Sequence, residues 1–446
     1  MTVLSYDITS PKSILKFAQG LSGKTLEEVA DLPGSIENIK DKGDLGKMVE
    51  RYYFQHAPPN THDPDFAEAG VELKTTGVRK NKNGQYRAKE RLVLTNIDYA
   101  ALDKEQWLDN TLMQKCGLML LLFYYYEKIA VYKRRFVYEP LLWSFPATDL
   151  EIIKKDWETI QQKIRDGKAH ELSEGDTFYL GACRKGSGGA KEPLKSQPHS
   201  KIRAKARAFS FKPSYINTII DGHAKPALVK TTNDAHVGIE ALVKEKFAPF
   251  INKTVDEISD ILDFHKHGKN DKGFGRALVM RMLGTTQRAL PEFEKADVEM
   301  KLLTLNRSGS PTEYLQFPTF DYMKIVAENW EDSSFFNKLE KKFLFVVFQV
   351  GDDKKVRLSK TVFWNMPYAD RLKAKCVWED TKRLVASGKA EQKYLPKISE
   401  DRVAHVRPHG ANNTTALFPS PQGELLPRLG FWLNKKYIAE QVRAAR

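Results

Sequence analysis

The sequence predicts an α/β protein made of two tandem domains, and two observations support this. First, the chain repeats itself once: FAQGLSGKTLEEVADL from Phe17 is matched by FAPFINKTVDEISDIL from Phe247, and PDFAEAGVELKT from Pro64 by PEFEKADVEMKL from Pro291. Second, segments with helical periodicity are followed by segments rich in strand-forming residues, which is typical of helices around a central mixed sheet. A chain of 446 residues is long enough for two such cores.

The order of the repeat sets the domain limits. LLWSFP around Trp143 returns as VFWNMP around Trp364, and AFSFK from Ala208 returns as GFWLN from Gly430. Between the copies lies DGHAKPALVKTTNDA, which has the Gly, Pro and polar content of a linker. We therefore expect a first domain over residues 1–220, a linker over 221–235 and a second domain over 236–446.

Within the first domain, the elements follow in a simple order. Apolar residues at helical spacing predict helices over 13–19, 25–30 and 45–54. Strands are predicted over 71–75 and 90–97, and the apolar run 118–126 predicts a strand buried on both faces. Helical periodicity returns over 152–164.

Composition narrows the class of function. Lys and Arg total 71 against 57 Asp and Glu, a net charge of +14, which favours nucleic acid as the partner and an anionic membrane surface as the second choice. Cys116, Cys183 and Cys376 lie far apart, which argues against a disulfide framework or a cysteine zinc site and fits a reducing cytoplasm. The longest apolar run is too short to span a membrane, and the start shows no secretory signal, so we expect a cytoplasmic protein without membrane association.

One short segment has the residues for metal-dependent chemistry. Alternation along Val71-Glu72-Leu73-Lys74 predicts that Glu72 and Lys74 share one face of a strand while Val71 and Leu73 face the core. Asp65 lies seven residues before Glu72, in a turn that can return its carboxylate to the same edge. Two carboxylates and a strand carbonyl suit Mg²⁺, and Lys74 beside them could orient or deprotonate a water. Taken alone, the pattern also fits a solvated strand face.

The surrounding string, DPDFAEAGVELKT, resembles the active-site segment of MutH, a mismatch-repair endonuclease that cuts at GATC, and of restriction endonucleases built on that fold. The similarity continues through KDKGDLGKMVE, PLLWSFP, the Asp-Trp-Glu at Asp156, and RAFSFK at Arg207. With two such domains, the chain is similar to the Sau-type restriction enzymes, in which the first domain cuts both strands at GATC. The resemblance implies the PD-(D/E)xK nuclease fold in each domain.

The resemblance also implies roles for individual residues. Asp65, Glu72 and the helix residue Glu50 correspond to Mg²⁺ ligands, and Lys74 corresponds to the lysine that positions water. Lys115 matches a second active-site lysine that steadies charge on the phosphate, although a surface lysine beside a strand would look the same.

Basic residues of the first domain are expected to contact DNA. Lys185 matches the base-reading lysine of the family, but the family's Arg-Pro-Lys is here Cys183-Arg184-Lys185. The alternative is a solvated run of charge. The predicted DNA-binding residues are Lys42, Arg184, Lys185, Lys201, Arg203, Lys205, Arg207 and Lys212.

The second domain departs from the nuclease pattern. Glu292, Glu299 and Lys301 keep the order of acid, acid and lysine, but the first acid is longer and Val279 stands where the first domain has Glu50. The family's Arg-Pro base-reading loop is retained as Arg407-Pro408-His409, so Arg407 and His409 are predicted DNA contacts. We expect a domain that binds a second GATC as an effector and does not cut. The alternative is a scaffold that only supports the first domain.

Together these expectations describe a Mg²⁺-dependent type II restriction endonuclease acting on double-stranded DNA with GATC sites. Self-association on DNA and a cognate methyltransferase would accompany such an enzyme. Two alternatives stay open: a MutH-like nickase for hemimethylated GATC, and a DNA-binding regulator that does not cut.

Overall fold

A computed structural model describes residues 4–33, 44–56, 63–186, 194–224, 238–266, 268, 273–287, 289–409 and 417–445. These residues divide into two compact units. The first unit comprises the described residues up to His170, Thr177–Lys185 and the described residues from Lys195 to Ala224. The second unit comprises Glu171–Asp176 and the described residues from Gly238 onward, with Gly186 and Leu194.

The first unit contains seven helices and nine strands among its described residues. The helices are α1 Pro11–Ala18, α2 Leu26–Val29, α3 Asp44–Met48, α4 Tyr99–Leu102, α5 Thr111–Cys116, α6 Ala147–Arg165 and α7 Pro213–Ala224. The strands are β1 Val71–Lys80, β2 Tyr86–Ala88, β3 Leu92–Asn96, β4 Leu118–Tyr125, β5 Leu141–Ser144, β6 Leu180–Arg184, β7 Leu194–Gln197, β8 Ser200–Lys205 and β9 Arg207–Phe211.

Two sheets and a hairpin organise these strands. The main sheet has the order β2-β1-β4-β5, in which β1 and β4 are parallel and the outer strands antiparallel. A smaller antiparallel sheet has the order β3-β9-β6, and β7 pairs with β8. All six inner residues of β4 are buried, as expected for a strand covered on both faces. The prediction of a mixed sheet with flanking helices is confirmed.

The second unit repeats this order. Its helices are α8 Ile239–Phe247, α9 Val255–Ile261, α10 Phe274–Met282, α11 Pro291–Ala296, α12 Tyr322–Ala327, α13 Ser334–Leu339, α14 Tyr368–Ala386 and α15 Lys435–Ala444. Its strands are β10 Glu299–Leu305, β11 Leu315–Thr319, β12 Phe343–Val350, β13 Val356–Trp364, β14 Ala404–Pro408, β15 Leu417–Pro419, β16 Leu425–Pro427 and β17 Leu429–Leu433.

The two units agree in topology as well as in sequence. The sheet β10-β12-β13 again joins a parallel pair to an antiparallel strand, and β11-β17-β14 reproduces the smaller antiparallel sheet. Helices α6 and α14 occupy the same place in the two orders, and each has 19 residues. The predicted duplication is therefore confirmed in the fold.

Part of the predicted linker is helical. Helix α7 runs to Ala224, so the first four residues of the predicted linker over 221–235 are helical. The remainder of that linker lies outside the described residues. Among the described helices, none combines the length and apolar character that crossing a membrane requires.

Candidate active site

A tight turn brings Asp65 to the start of β1. Phe66 and Val71 close the turn by two backbone hydrogen bonds, of 2.9 and 3.1 Å. Gly70 inside the turn has φ of +65°, a left-handed conformation that costs a residue with a side chain roughly 1–2 kcal/mol. The backbone N–H of Asp65 then donates to Glu72 Oε2 at 3.0 Å, and the N–H of Leu73 donates to Asp65 Oδ2 at 2.9 Å. The two carboxylates are thus fixed side by side, as the sequence predicted.

Two lysines face Glu72 from different elements. Lys74, two residues further along β1, places Nζ 2.7 Å from Glu72 Oε1. Lys115, at the end of α5, places Nζ 3.8 Å from Glu72 Oε2 and donates to the Asp63 carbonyl at 3.0 Å. Helix α5 leads into β4, and β4 pairs in parallel with β1, which brings the two lysines to the same carboxylate. The structure therefore places Lys115 in the site.

Glu50 is the third acid of the group. It lies in the π-helical turn Val49–Tyr53 that continues α3, and its side chain is buried. Burial raises the pKa of Glu50 to about 7, and the charges of Asp65 and Glu72 add to the shift. Glu50 and Lys74 both line a cleft of about 450 Å³. The three acids are therefore electrostatic neighbours, and Glu50 is the one that lines the cleft.

Glu72 is more deeply buried than its position in the strand predicted. Alternation predicted a face for Glu72 opposite the core, but Glu72 is only 2% exposed, while Val71 and Leu73 on the other face are also buried. Both faces of β1 are covered at this point, because other parts of the chain pack over the acidic side as well. Burial raises the pKa of Glu72 even though Lys74 opposes the shift.

The charge of Lys74 is held by its acidic neighbours. Burial works against the charged ammonium, and the carboxylates of Glu72 and Asp65 favour it, so that the pKa of Lys74 is raised. Burial also raises the pKa of the Cys116 thiol to about 12, so this thiol is neutral near pH 7. The two carboxylates are therefore the groups that keep Lys74 protonated.

The acids suit a hard divalent cation in their chemistry. Asp65, Glu72 and Glu50 offer only oxygen donors, which Mg²⁺ prefers, and a cation would relieve the repulsion that raises the pKa of Glu50. Within the described ranges, no three acidic, histidine or cysteine side chains are already spaced as ligands of one ion. In particular, Glu72 Oε1 is engaged by Lys74 and Oε2 by the N–H of Asp65. The donors fit the ion in kind, and each engaged oxygen of Glu72 keeps a second lone pair that can bind it.

His56, which is outside the predicted site residues, supports the site. His56 Nε2 lies 2.7 Å from the carbonyl oxygen of Asp65, and the ring stacks on Phe66 at 5.4 Å between centroids. These contacts hold the peptide that carries the first acid. A lone histidine without a ligand pattern offered no signal for this role.

The basic residues of the first unit separate into two groups. Lys201 and Arg203 on β8 are exposed, Lys185 after β6 is exposed, and Arg184 and Lys205 are partly buried. These five residues stay predicted DNA contacts. Lys42 lies outside the described residues.

Two of the predicted DNA contacts are wrong. Arg207 is 6% exposed and donates to the Ala182 carbonyl at 2.9 Å, and Lys212 is 5% exposed and donates to the Thr177 carbonyl at 3.1 Å. Both cations hydrogen-bond to the backbone inside the unit, so they stabilise the fold and do not reach DNA. A run of basic residues in sequence cannot show which members turn inward.

Asp156 of the Asp-Trp-Glu motif is also structural. Its carboxylate is 3% exposed and accepts backbone N–H groups from Phe178, Tyr179 and Leu180 at 2.8, 2.6 and 2.9 Å. These bonds fasten α6 to the segment that enters β6. The motif therefore marks an anchor of the fold.

The corresponding position in the second unit keeps Glu299 but has Val279 where the first unit has Glu50. Glu299 at the start of β10 lies 2.8 Å from Lys301 Nζ and 2.6 Å from Lys338 Nζ. Burial would raise the pKa of Glu299, but hydrogen bonds from these two lysines hold it at about 2. Val279, in the place of Glu50, is buried in α10. Glu292 lies in the first turn of α11.

Lys338 was missed by sequence reasoning. It follows the N-cap Ser333 of α13 by five residues, just as Lys115 follows the N-cap Asn110 of α5. Aligning the two units by the N-caps of α5 and α13, instead of by their repeated strings, would have identified Lys338 as the counterpart of Lys115. The second unit thus keeps both lysines of the site.

The base-reading candidates of the second unit sit among aromatic rings. Arg407 places its guanidinium carbon 5.4 Å from the centroid of Tyr314 and 4.9 Å from that of Trp432. The ring of His409 packs against Trp432 at 5.2 Å and contacts Gln316 through Nδ1. Residues 410–416, which follow His409, lie outside the described residues.

Comparison with known proteins identifies relatives of this arrangement. The family model for the DNA mismatch repair enzyme MutH matches residues 54–156 and again 284–374, one stretch in each unit. The chain is 32% identical over 470 aligned residues to the type II restriction enzyme Sau3AI of Staphylococcus aureus, covering 93% of this chain and 95% of that one. It is 29% identical over 182 residues to MutH of Pasteurella multocida, covering 39% of this chain and 79% of that protein. MutH of Shewanella woodyi is 29% identical over 170 residues.

Proposed function

This chain belongs to the family of type II restriction endonucleases with MutH-like domains, and from that premise we propose that its first unit cuts double-stranded DNA at GATC with Mg²⁺. The observation that carries the proposal is the fixed pair of Asp65 and Glu72 with Lys74 at 2.7 Å. A binding protein has no use for buried carboxylates that repel each other. A nuclease needs them to hold a cation against the phosphate.

The chain's own residues then divide the work. Asp65, Glu72 and Glu50 would hold the Mg²⁺, which when bound neutralises phosphate charge and lowers the pKa of a water. Because its carboxylate neighbours keep Lys74 protonated, Lys74 donates a hydrogen bond that orients the attacking water. Lys115 faces the same carboxylate and stabilises negative charge that develops on the phosphate.

For the second unit we propose DNA binding without cutting, with a second GATC as effector. The support is Val279 in the place of Glu50, the longer Glu292 in the place of Asp65, the engagement of Glu299 by two lysines, and the retention of Arg407 between aromatic rings. Binding there would favour the cutting-competent state of the first unit by a coupling of typically 1–3 kcal/mol. A host using such an enzyme would need a methyltransferase to protect its own GATC sites.

Cleavage of supercoiled plasmids tests the proposal. Unmethylated GATC plasmid should become linear with Mg²⁺ and stay intact with EDTA, and the Glu72→Gln variant should bind the DNA without cutting it. A nicked product confined to hemimethylated sites would favour the MutH-like nickase. Binding without any cleavage at any Mg²⁺ concentration would favour the regulator and overturn the proposal.

A second assay addresses the effector role. Plasmids with two GATC sites should be cut faster than plasmids with one, and Arg407→Ala should remove the difference. Equal rates on both plasmids would leave the second unit as a scaffold.

A further inference from the structure

The second unit has a cleft of about 590 Å³ where the first unit has its acids. Its floor holds Glu299 between Lys301 and Lys338, and the two lysine side chains are 28% and 31% exposed. Its wall includes Tyr314, Gln316 and His409. The cleft is therefore open to a ligand larger than a water molecule, and two ammonium groups face into it.

The balance of charge at the floor is the reverse of that in the first unit. There, three carboxylates (Glu50, Asp65 and Glu72) stand against Lys74 and Lys115. Here, one carboxylate stands against two lysines, and these lysines are the charges that act most strongly on it. Excess negative charge attracts a cation, whereas excess positive charge attracts an anion directly.

Two further cations pack on Tyr314, which lines the cleft. Lys435 Nζ lies 4.7 Å and the Arg407 guanidinium carbon 5.4 Å from the centroid of its ring. Glu313 is an exposed acid that lines the cleft, so the lining residues and these two neighbours together hold four cations against two acids. Each ammonium has three donors and spends one on Glu299, which leaves donors for a second acceptor.

The wall decides which anion fits. Arg407 between two aromatic rings, and the amide of Gln316, are groups that read base edges, and they stand above a floor that fits a phosphate. A free phosphate would contact only the lysines of the floor. A DNA strand would contact these lysines through a phosphate and the groups of the wall through its bases.

We propose that Lys301 and Lys338 bind a backbone phosphate of DNA without a metal ion, and that Glu299 is the internal counter-ion that holds both lysines in place before DNA arrives. The proposal rests on the DNA-binding role given above to the second unit. It adds which residues of the second unit contact the DNA and which chemical group of the DNA they bind. In the first unit Asp65, Glu72 and Glu50 would hold a cation that neutralises the phosphate, and in the second unit the two lysines would take that role.

The salt dependence of DNA binding tests this in the full chain. The background is Glu72→Gln, and the probe is a fluorescent duplex with two GATC sites, titrated in EDTA between 50 and 200 mM salt, the range over which counterion release is measured. Replacing both Lys301 and Lys338 with alanine should reduce the slope of log K against log salt by about 0.9, since the two lysines share one phosphate and each phosphate contact contributes about 0.9. The matched control Lys375→Ala removes a lysine of α14 that pairs with Glu379 at 3.5 Å, and it should leave the slope unchanged.

Glu299→Gln gives a second test with the opposite sign. If Glu299 is a counter-ion, its neutral form frees both lysines, and DNA should bind more tightly in EDTA. If Glu299 is a metal ligand, the same change should weaken DNA binding in Mg²⁺ and have no effect in EDTA. Thermal unfolding of each variant shows whether the fold is intact. If the double alanine variant is unfolded, the result for Glu299→Gln decides whether the phosphate site exists.

Each remaining outcome is also decisive. An unchanged slope in a folded double variant, or weaker binding by Glu299→Gln, overturns the phosphate site. If Arg407→Ala still removes the stimulation by a second GATC while the slope is unchanged, the effector role survives and only this contact fails. If the chain binds no second GATC duplex, the proposed function of the second unit fails as well.

Discussion

Replacing Lys74 with methionine removes one ammonium from the active site and keeps most of the aliphatic stem. In the structure this ammonium lies 2.7 Å from Glu72 Oε1 and is kept protonated by its acidic neighbours. We expect it to donate to the attacking water. Loss of one such preorganised donor typically costs about 10²–10³ in kcat, or roughly 3–4 kcal/mol.

The same change has a smaller effect on stability. Glu72 keeps Lys115, but at 3.8 Å, and a buried carboxylate with a poorer partner costs about 1–3 kcal/mol. In a domain of this size that lowers the melting temperature by roughly 2–12 °C. Activity must therefore be measured well below the transition.

The assay is single-turnover cleavage of a GATC duplex at saturating protein and Mg²⁺. The control Lys80→Met changes an exposed lysine at the far end of the same strand, and we expect wild-type rates from it. A folded Lys74→Met protein that keeps more than a tenth of the wild-type rate would refute the role given to Lys74. A Lys80→Met protein equally impaired would show that the loss is not local.

Three further predictions concern fold and specificity. Asp156→Ala leaves three buried N–H groups without their acceptor, and a cost of about 3 kcal/mol or more should lower the melting temperature of the first unit by roughly 6–12 °C in calorimetry. Burial lowers the pKa of His405 to about 4, so the unfolded chain binds more protons than the folded chain between pH 6.5 and 4. The free energy of unfolding of the second unit should therefore fall by up to about 3 kcal/mol as the pH falls through this window. In denaturant titrations, His405→Phe should make this free energy less dependent on pH. Lys185→Ala should cost about 1–3 kcal/mol of discrimination between GATC and altered sites, whereas Lys201→Ala should weaken all duplexes alike and reduce the salt slope by about one unit in competition binding.

Each of these can fail clearly. An unchanged melting temperature in Asp156→Ala would show that the three N–H groups find other acceptors. If His405→Phe loses as much stability as the wild type when the pH falls, other groups cause the pH dependence. Equal losses on GATC and scrambled DNA for Lys185→Ala would make it a phosphate contact.

The linear sequence determined the duplication and the class of fold, and it predicted the candidate catalytic group. Asp65, Glu72 and Lys74 are close in the chain, and one turn and one strand are enough to bring them together, so local rules of turns and alternation predict their meeting. Lys115 is 41 residues from Lys74, and its place followed from family resemblance, because parallel pairing of β1 with β4 is not a local property.

Only the tertiary structure decided which side chains face water. Glu72 is buried on the face that alternation assigned to solvent, and Arg207 and Lys212 turn inward to backbone carbonyls although they belong to a basic run. It also decided that Lys338 meets Glu299, since the two lie 39 residues apart and on different elements. The physical reason is the same in each case: periodicity along a strand fixes the direction of a side chain, but burial and charge pairing depend on what other, distant segments pack against it.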